Sequence, residues 1–192
     1  MDKDLADIVF QPLNSFQNDY ESFTLFYDRS VVVLHKDTEI PEELRRCAIS
    51  RDELIARNYP PEKIVSNPSL FRDVEFINIP SILYINKRRE ELFGKYKSTP
   101  HVISRNDQIE LNLNLVAAGF GTLLTTETQI SISFKHPDCL YFALGSPNAV
   151  RPYSVAFRKD GHEYIRSLIK AFIEAAREFT NCENPITKVL AP

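Results

Sequence analysis

Apolar and polar positions along the chain sort into short β-branched runs and helical spacings. The run Asp7-Ile8-Val9-Phe10 stops at Gln11-Pro12 and predicts a short buried strand. Residues 13–20 are polar, hold two Asn and a Ser, and read as loop. FTLFYDRSVVVLH (23–35) is rich in β-branched and aromatic residues, so it predicts one long strand or two segments meeting at Asp28-Arg29. Pro41 opens a helical stretch, PEELRRCAI. Ser50 and Glu53 then stand at capping-box spacing and start a second helix, ended by Tyr59-Pro60-Pro61. Residues 61–74 have no strong period and read as an excursion with helical turns. VEFINI (74–79) alternates as a strand does. After Pro80-Ser81, the positions Ile82, Ile85, Arg89 and Leu92 follow a helical spacing to Phe93, with Gly94 as its C-cap.

Residues 101–134 carry a conflict. HVIS is a short strand and RND a turn. Ile109, Leu111, Leu113 and Leu115 then alternate as a strand, whereas Ile109, Asn112/Leu113, Val116 and Phe120 fit a helix that ends tightly at Ala117-Ala118-Gly119. Pattern alone leaves both open. TLLT (122–125) resumes as strand, and VRPYSVAFRK (150–159) is another, bounded by Asp160-Gly161. The closing helix is the clearest element: Ile165, Leu168, Ile169, Phe172, Ala176 and Phe179 make one apolar stripe, with Arg166, Lys170, Glu174, Arg177 and Glu178 on the other side. Phe172, Ile173 and Phe179 give it more apolar width than one core stripe requires, which fits a partner surface. Strands alternating with helices predict a mixed α/β fold.

Composition narrows the class. The 192 residues are 43% hydrophobic and 26% charged, with 13 Phe and 8 Tyr, ample apolar surface for a folded chain. The net charge of −3 gives no bulk attraction to nucleic acid or to an anionic membrane. Cys47, Cys139 and Cys182 form no spaced framework, which fits reduced thiols and a cytoplasmic setting. The four His are scattered, so no metal set and no cofactor is implied. The N-terminus shows no signal-peptide core, and no apolar run approaches the ~20 residues that span a bilayer.

No catalytic constellation stands out: GxSxG, HExxH, a phosphate loop and a dinucleotide fingerprint are all missing, and the expectation is that the chain is not an enzyme. Gly119-Phe120-Gly121 reads as a helix-to-strand turn where Cβ atoms would clash. Cys139 reads as a semi-buried small residue beside a turn rather than a redox thiol. Lys87-Arg88-Arg89, flanked by Glu90-Glu91, reads as a solvated helix face rather than a nucleic-acid footprint. Ser81 has two readings. It is a plain N-cap, or its hydroxyl and the free backbone N–H groups at the positive end of a helix receive a carboxylate or phosphate. Arg105-Asn106-Asp107 offers a second such point.

The order of segments resembles a known family. LNLVAAGFGTLLTTE (113–127) looks like the LVAAGxGxxLLP segment in the effector-binding, or substrate-binding, domain of LysR-type transcriptional regulators. DIVFQPL (7–13) resembles that family's DLAIxxxP strand, FTLFYDRSVVVLHKD (23–37) its crossing strand, and RPYSVAFRKDGHEYIRSLIKAFIEAAREF (151–179) its return strand and terminal helix. The likeness covers most of residues 5–180. Thr125-Thr126 departs from the usual Leu-Pro, and residues 38–75 are longer than the family's equivalent.

The resemblance implies a two-lobed, periplasmic-binding-protein-like α/β domain with two crossing strands and an incomplete first lobe. Residues 1–32 would give part of that lobe, 33–155 the second lobe, and 156–192 the return strand and terminal helix of the first. It also implies a helix over 107–119 and a strand over 121–125. The implied function is to sense a small-molecule effector, such as a small carboxylate, in a cleft between lobes and thereby control transcription. Contacts would come from Gln11, Pro12, Pro80, Ser81, Ile82 and Asn106. A homo-oligomer is implied, no membrane is, and DNA would be reached only through a helix-turn-helix that this sequence does not contain. Without the family's opening strand–helix–strand, weak effector binding and non-native pairing at residues 7–12 are expected. The alternative is a free solute-binding protein of the same fold.

Overall fold

Four consecutive residues, Val31 to Leu34, are wholly excluded from solvent in the computed structural model, and they organise the larger half of the chain. The structure describes residues 8–11, 19–79, 89–94, 101–133, 135–160 and 163–181. Its strands are β1 (Ile8–Gln11), β2 (Tyr20–His35), β3 (Glu75–Asn78), β4 (His101–Arg105), β5 (Thr122–Thr126), β6 (Cys139–Ala143) and β7 (Val150–Arg158). The helices are α1 (Glu42–Arg46), α2 (Arg51–Ala56), α3 (Ile109–Ala117), α4 (Glu127–Ser133) and α5 (Glu163–Asn181). Residues 89–93 are also helical, the described part of the helix expected over 82–93. The chain forms two compact units, Met1–Asp28 with Arg151–Pro192, and Arg29–Val150. The dividing points are thus 28/29 and 150/151, against 32/33 and 155/156 in the sequence reading.

In the larger unit β2 is flanked by β5 and β6, both antiparallel, while β3 runs parallel to β5 on one side and β4 on the other. Both faces of this sheet are covered, which is why Val31–Leu34 reads as an unbroken apolar run rather than an alternation. Val31, Val33, Ile77, Leu123 and Tyr141 pack with Leu54 of α2, Leu113 and Val116 of α3, and Ile130 of α4. Val32, Leu34, Phe76, Leu124 and Phe142 pack on the opposite face with Leu44, Phe71, Leu92 and Phe93. Phe71 meets Phe142 and Phe93 edge-on, with ring centroids 5.6 and 6.3 Å apart.

The contested segment is helix. Asn112 and Leu113 are buried side by side while Leu111 is 41% exposed, a distribution that no strand gives. The alternation of Ile109 to Leu115 is therefore incidental. Gly119 and Gly121 take φ of 82° and 131°, so the turn into β5 requires both glycines. The expected capping box is present: Ser50 Oγ accepts from the Glu53 N–H at 3.1 Å, and Glu53 Oε2 accepts from the Ser50 N–H at 2.7 Å.

In the smaller unit β1 pairs antiparallel with β7, Ile8 opposite Phe157, and β7 lies next to β2. Phe26 and Tyr153 stack at 5.0 Å. Helix α5 packs Ile165, Ile169 and Ile173 against Ile8, Phe23, Leu25, Val155 and Phe157.

Several expectations need correction. β1 is not buried: it ends the strand order, and Phe10 is 48% exposed although its ring meets Phe172 of α5 edge-on. The core stripe of α5 is rotated from the expected one, so Leu168 and Phe172 are 50% and 44% exposed while Ile173 is buried. Helix α1 stops at Arg46 instead of Ile49, since the Ile49 N–H is taken by the Tyr141 carbonyl. Helix α2 stops at Ala56, ahead of Tyr59-Pro60-Pro61, because Arg57 turns into the left-handed region at φ 48°. Arg89 does not lie on a solvated face but is half-buried against Asn78, while Lys87 and Arg88 lie outside the described residues; Cys139 stands beside a turn as expected, and is buried rather than semi-buried. Helix α4 and strand β6 were not foreseen. Among the described residues, no helix is long and apolar enough to cross a membrane.

Candidate functional site

The parallel strands stand in the order β5-β3-β4, and the chain passes from β3 to β4 and then back across to β5. In open α/β sheets, ligands gather outside the carboxyl ends of strands where such a reversal occurs. Here those ends are Asn78, Arg105 and Thr126.

On one face of this edge, the alternation that buries Phe76 with Val32 and Leu124 also directs Asn78, Ser30 and Thr126. Ser30 lies directly opposite Thr126 across β2 and β5. Ser30 is fully buried and its hydroxyl has no hydrogen-bond partner. Arg89 donates to Asn78 Oδ1. Burial lowers the Arg89 pKa from its ordinary value; Glu90 opposes that shift and nearby Arg105 adds to it.

Asn106 follows β4 directly. Its N–H donates to the Asn78 carbonyl at 3.0 Å, tying the β3 and β4 ends together. Its side-chain oxygen accepts from the Gln108 N–H at 2.9 Å, and its carbonyl accepts from Asn112 Nδ2 at 2.8 Å. Asn112 Oδ1 stays buried without a partner.

The other face of the edge holds charge. Glu127, the first residue of α4, is 5% exposed. Arg57 Nη2 lies 2.6 Å from Glu127 Oε2, Arg29 Nε lies 3.6 Å from Oε1, and the Tyr59 hydroxyl donates to Oε1 at 3.1 Å. Arg29 also donates to the Leu144 carbonyl at 2.9 Å. Burial, and then the Glu127 carboxylate, push the Tyr59 phenol up to about 12.

Of the residues the sequence nominated, Asn106 stands at this edge. Gln11 ends β1 in the other unit, opposite Ser154. Pro12, Pro80, Ser81 and Ile82 lie outside the described residues. Sequence reasoning missed Asn78, Ser30, Asn112 and the Arg29–Arg57–Tyr59–Glu127 cluster. Only Asn112, a polar residue in period with the apolar stripe of the helical reading of 109–117, could have signalled one of them. Among the described residues, no group of three or more His, Cys, Asp or Glu could hold a metal ion.

The fold is similar to the periplasmic-binding-protein-like α/β fold of the effector-binding domains of LysR-type regulators. The chain superposes on the BenM effector-binding domain with its effector benzoate at a TM-score of 0.65 and 22% identity, covering 92% of this chain and 70% of that one. It matches the QuiR effector-binding domain in complex with shikimate at a TM-score of 0.60 and 13% identity, over 90% and 72% of the two chains. The LysR family transcriptional regulator CbnR gives a TM-score of 0.60 at 14% identity, over 88% of this chain and 52% of that one. The chain thus spans about half the length of that full regulator. No family model and no curated protein matches the sequence.

Proposed function

We propose that this chain is the effector-binding regulatory part of a LysR-type transcriptional regulator, a cytoplasmic sensor of a small molecule rather than an enzyme. The observation that carries the reading is the fold itself, shared over 92% of the chain with a domain whose structure holds benzoate. The polar edge of β3, β4 and β5 supplies the matching chemistry: amide groups from Asn78 and Asn106 and a guanidinium from Arg89. Such an edge recognises a small carboxylate by charge-assisted hydrogen bonds. Gln11, Pro12, Pro80, Ser81, Ile82 and Asn106 are the proposed contact residues. DNA would be reached through a separate domain.

Titration calorimetry against a panel of small carboxylates, benzoate and shikimate included, tests the reading. Saturable binding that weakens on Asn106→Ala or Ser81→Ala is expected. A panel without a saturable member at 10 mM, roughly the limit for ~3 kcal/mol of binding, overturns it.

Self-association belongs to the same proposal. Tyr164, Leu168 and Phe172 of α5 are 76%, 50% and 44% exposed, and Phe10 meets Phe172 edge-on at 5.5 Å, so one apolar patch faces outward. A dimer by light scattering, lost on Leu168→Glu with Phe172→Glu, is the expected outcome. A monomer at tens of micromolar (a range that reveals interfaces of roughly 6–7 kcal/mol) counts against it.

A further inference from the structure

Two guanidiniums meet at the polar edge of β3 and β4. Past the bulge in β4, Arg105 stands level with Asn78 of β3, and level neighbours on parallel strands share a face of the sheet. Arg89 reaches the same point from the helical residues 89–93, whose Leu92 and Phe93 pack on that face, and donates to Asn78 Oδ1. The rest of its planar fork is left open among the described residues.

The second observation is how these two arginines differ from others in the chain. Arg29 and Arg57 face Glu127, Arg46 faces Glu42, Arg72 faces Asp73 and Arg158 faces Asp160. Arg89 and Arg105 make no ion pair among the described residues. Burial lowers the Arg89 pKa; Glu90 opposes that shift without pairing to the guanidinium, and Arg105 adds to it. Two like charges held this close repel, and a counter-charge between them relieves the repulsion. The chain as a whole carries −3, so this local pair of cations is not a share of a generally basic surface.

We propose, resting on the effector reading of this edge, that the effector carries two negative charges, and that Arg105 selects for the second of them. The charges sit on one phosphoryl group or on two carboxylates. A singly charged acid is matched by Arg89 alone. A doubly charged one also engages the Arg105 fork, through the paired N–H bonds that a guanidinium makes to phosphoryl and carboxylate oxygens. The Asn106 N–H, bonded to the Asn78 carbonyl at 3.0 Å, holds the ends of β3 and β4 in step, so both forks serve one ligand.

The test is calorimetry on the whole chain with two matched pairs of ligands, at roughly pH 7.5, where a phosphate monoester holds nearly two charges. Phenyl phosphate against phenyl sulfate changes the charge of one tetrahedral group. Isophthalate against benzoate adds a second carboxylate. The doubly charged member of at least one pair is expected to bind about tenfold tighter. A preference confined to the first pair assigns a phosphoryl group, and one confined to the second assigns a dicarboxylate. Arg105→Gln should bring that ratio close to one, while Arg72→Gln, which removes the same charge from an exposed site elsewhere, should leave it in place. Thermal melts confirm that both variants stay folded. Ratios near one in both pairs, or a ratio that survives Arg105→Gln, overturn this inference and leave the carboxylate reading standing. No saturable binding of any of the four at 10 mM, roughly the limit for ~3 kcal/mol of binding, overturns both.

Discussion

Arg57 and Glu127, seventy residues apart in sequence, hold each other at 2.6 Å with side chains only 8% and 6% exposed. The pair explains two local features at once. It gives Arg57 a reason to leave α2 in the left-handed region at φ 48°, and it places the Glu127 carboxylate in the first turn of α4, where the helix dipole favours it.

Breaking this pair from one side strands a buried charge. Glu127→Ala is expected to destabilise by about 3–5 kcal/mol. Arg57→Ala should cost a similar amount, whereas Arg57→Gly should cost ~1 kcal/mol less, because glycine accepts the positive φ. Urea unfolding midpoints of the three variants check the order. Equal losses for Arg57→Ala and Arg57→Gly would remove backbone strain from the account.

The capping box makes α2 sensitive to acid. The Ser50 N–H, then the Ser50 hydroxyl and Lys63, hold the Glu53 carboxyl below its ordinary value. Its contribution is therefore present above the unfolded pKa and is lost as pH falls through the lowered folded value. Ser50→Ala should cost about 1 kcal/mol at pH 7. Glu53→Gln should be less stable than the parent at pH 7, and the gap should close below roughly pH 4 as the parent carboxyl takes up its proton. Denaturant melts across that range measure it.

At the alkaline end, burial drives both Tyr59 and Tyr141 up to about 12. The unfolded chain gives up these protons near pH 10, before the folded one does. Stability from these two groups is therefore complete below about pH 10 and is lost as pH rises from there toward 12. Ultraviolet titration of phenolate should show a late component that shrinks in Tyr59→Phe. A titration in which all tyrosines ionise near 10 would contradict the burial.

Glycine is required at the turn before β5. A Cβ on Gly121 would come within 3.2 Å of both Ile77 and Ile103, at φ 131°. Gly121→Ala should cost about 1–3 kcal/mol. Gly94→Ala meets nothing within 4 Å and should be nearly neutral, which makes it the control in the same thermal melts.

How much was legible follows from the range of each force. The Ser50–Glu53 box, the apolar run Val31–Leu34 and the glycine turn at 119–121 were readable because a few neighbouring residues decide them. The candidate edge was barely readable. Asn78, Ser30, Asn112 and Glu127 look like ordinary polar residues until strand pairing sets Ser30 opposite Thr126 and Asn106 beside Asn78.

Period alone could not choose between strand and helix for Ile109–Ala117, nor tell which of two adjacent apolar rows on α5 would face the sheet. Sequence by itself determined that this chain alternates strands with amphipathic helices and has apolar surface enough to cover a sheet on both faces. Tertiary structure decided that Ile173 rather than Phe172 is buried, that Phe10 stays exposed on an end strand, and that Arg57 abandons its helix for Glu127. Those outcomes depend on partners far away in sequence, and burial energy is settled only when distant surfaces meet.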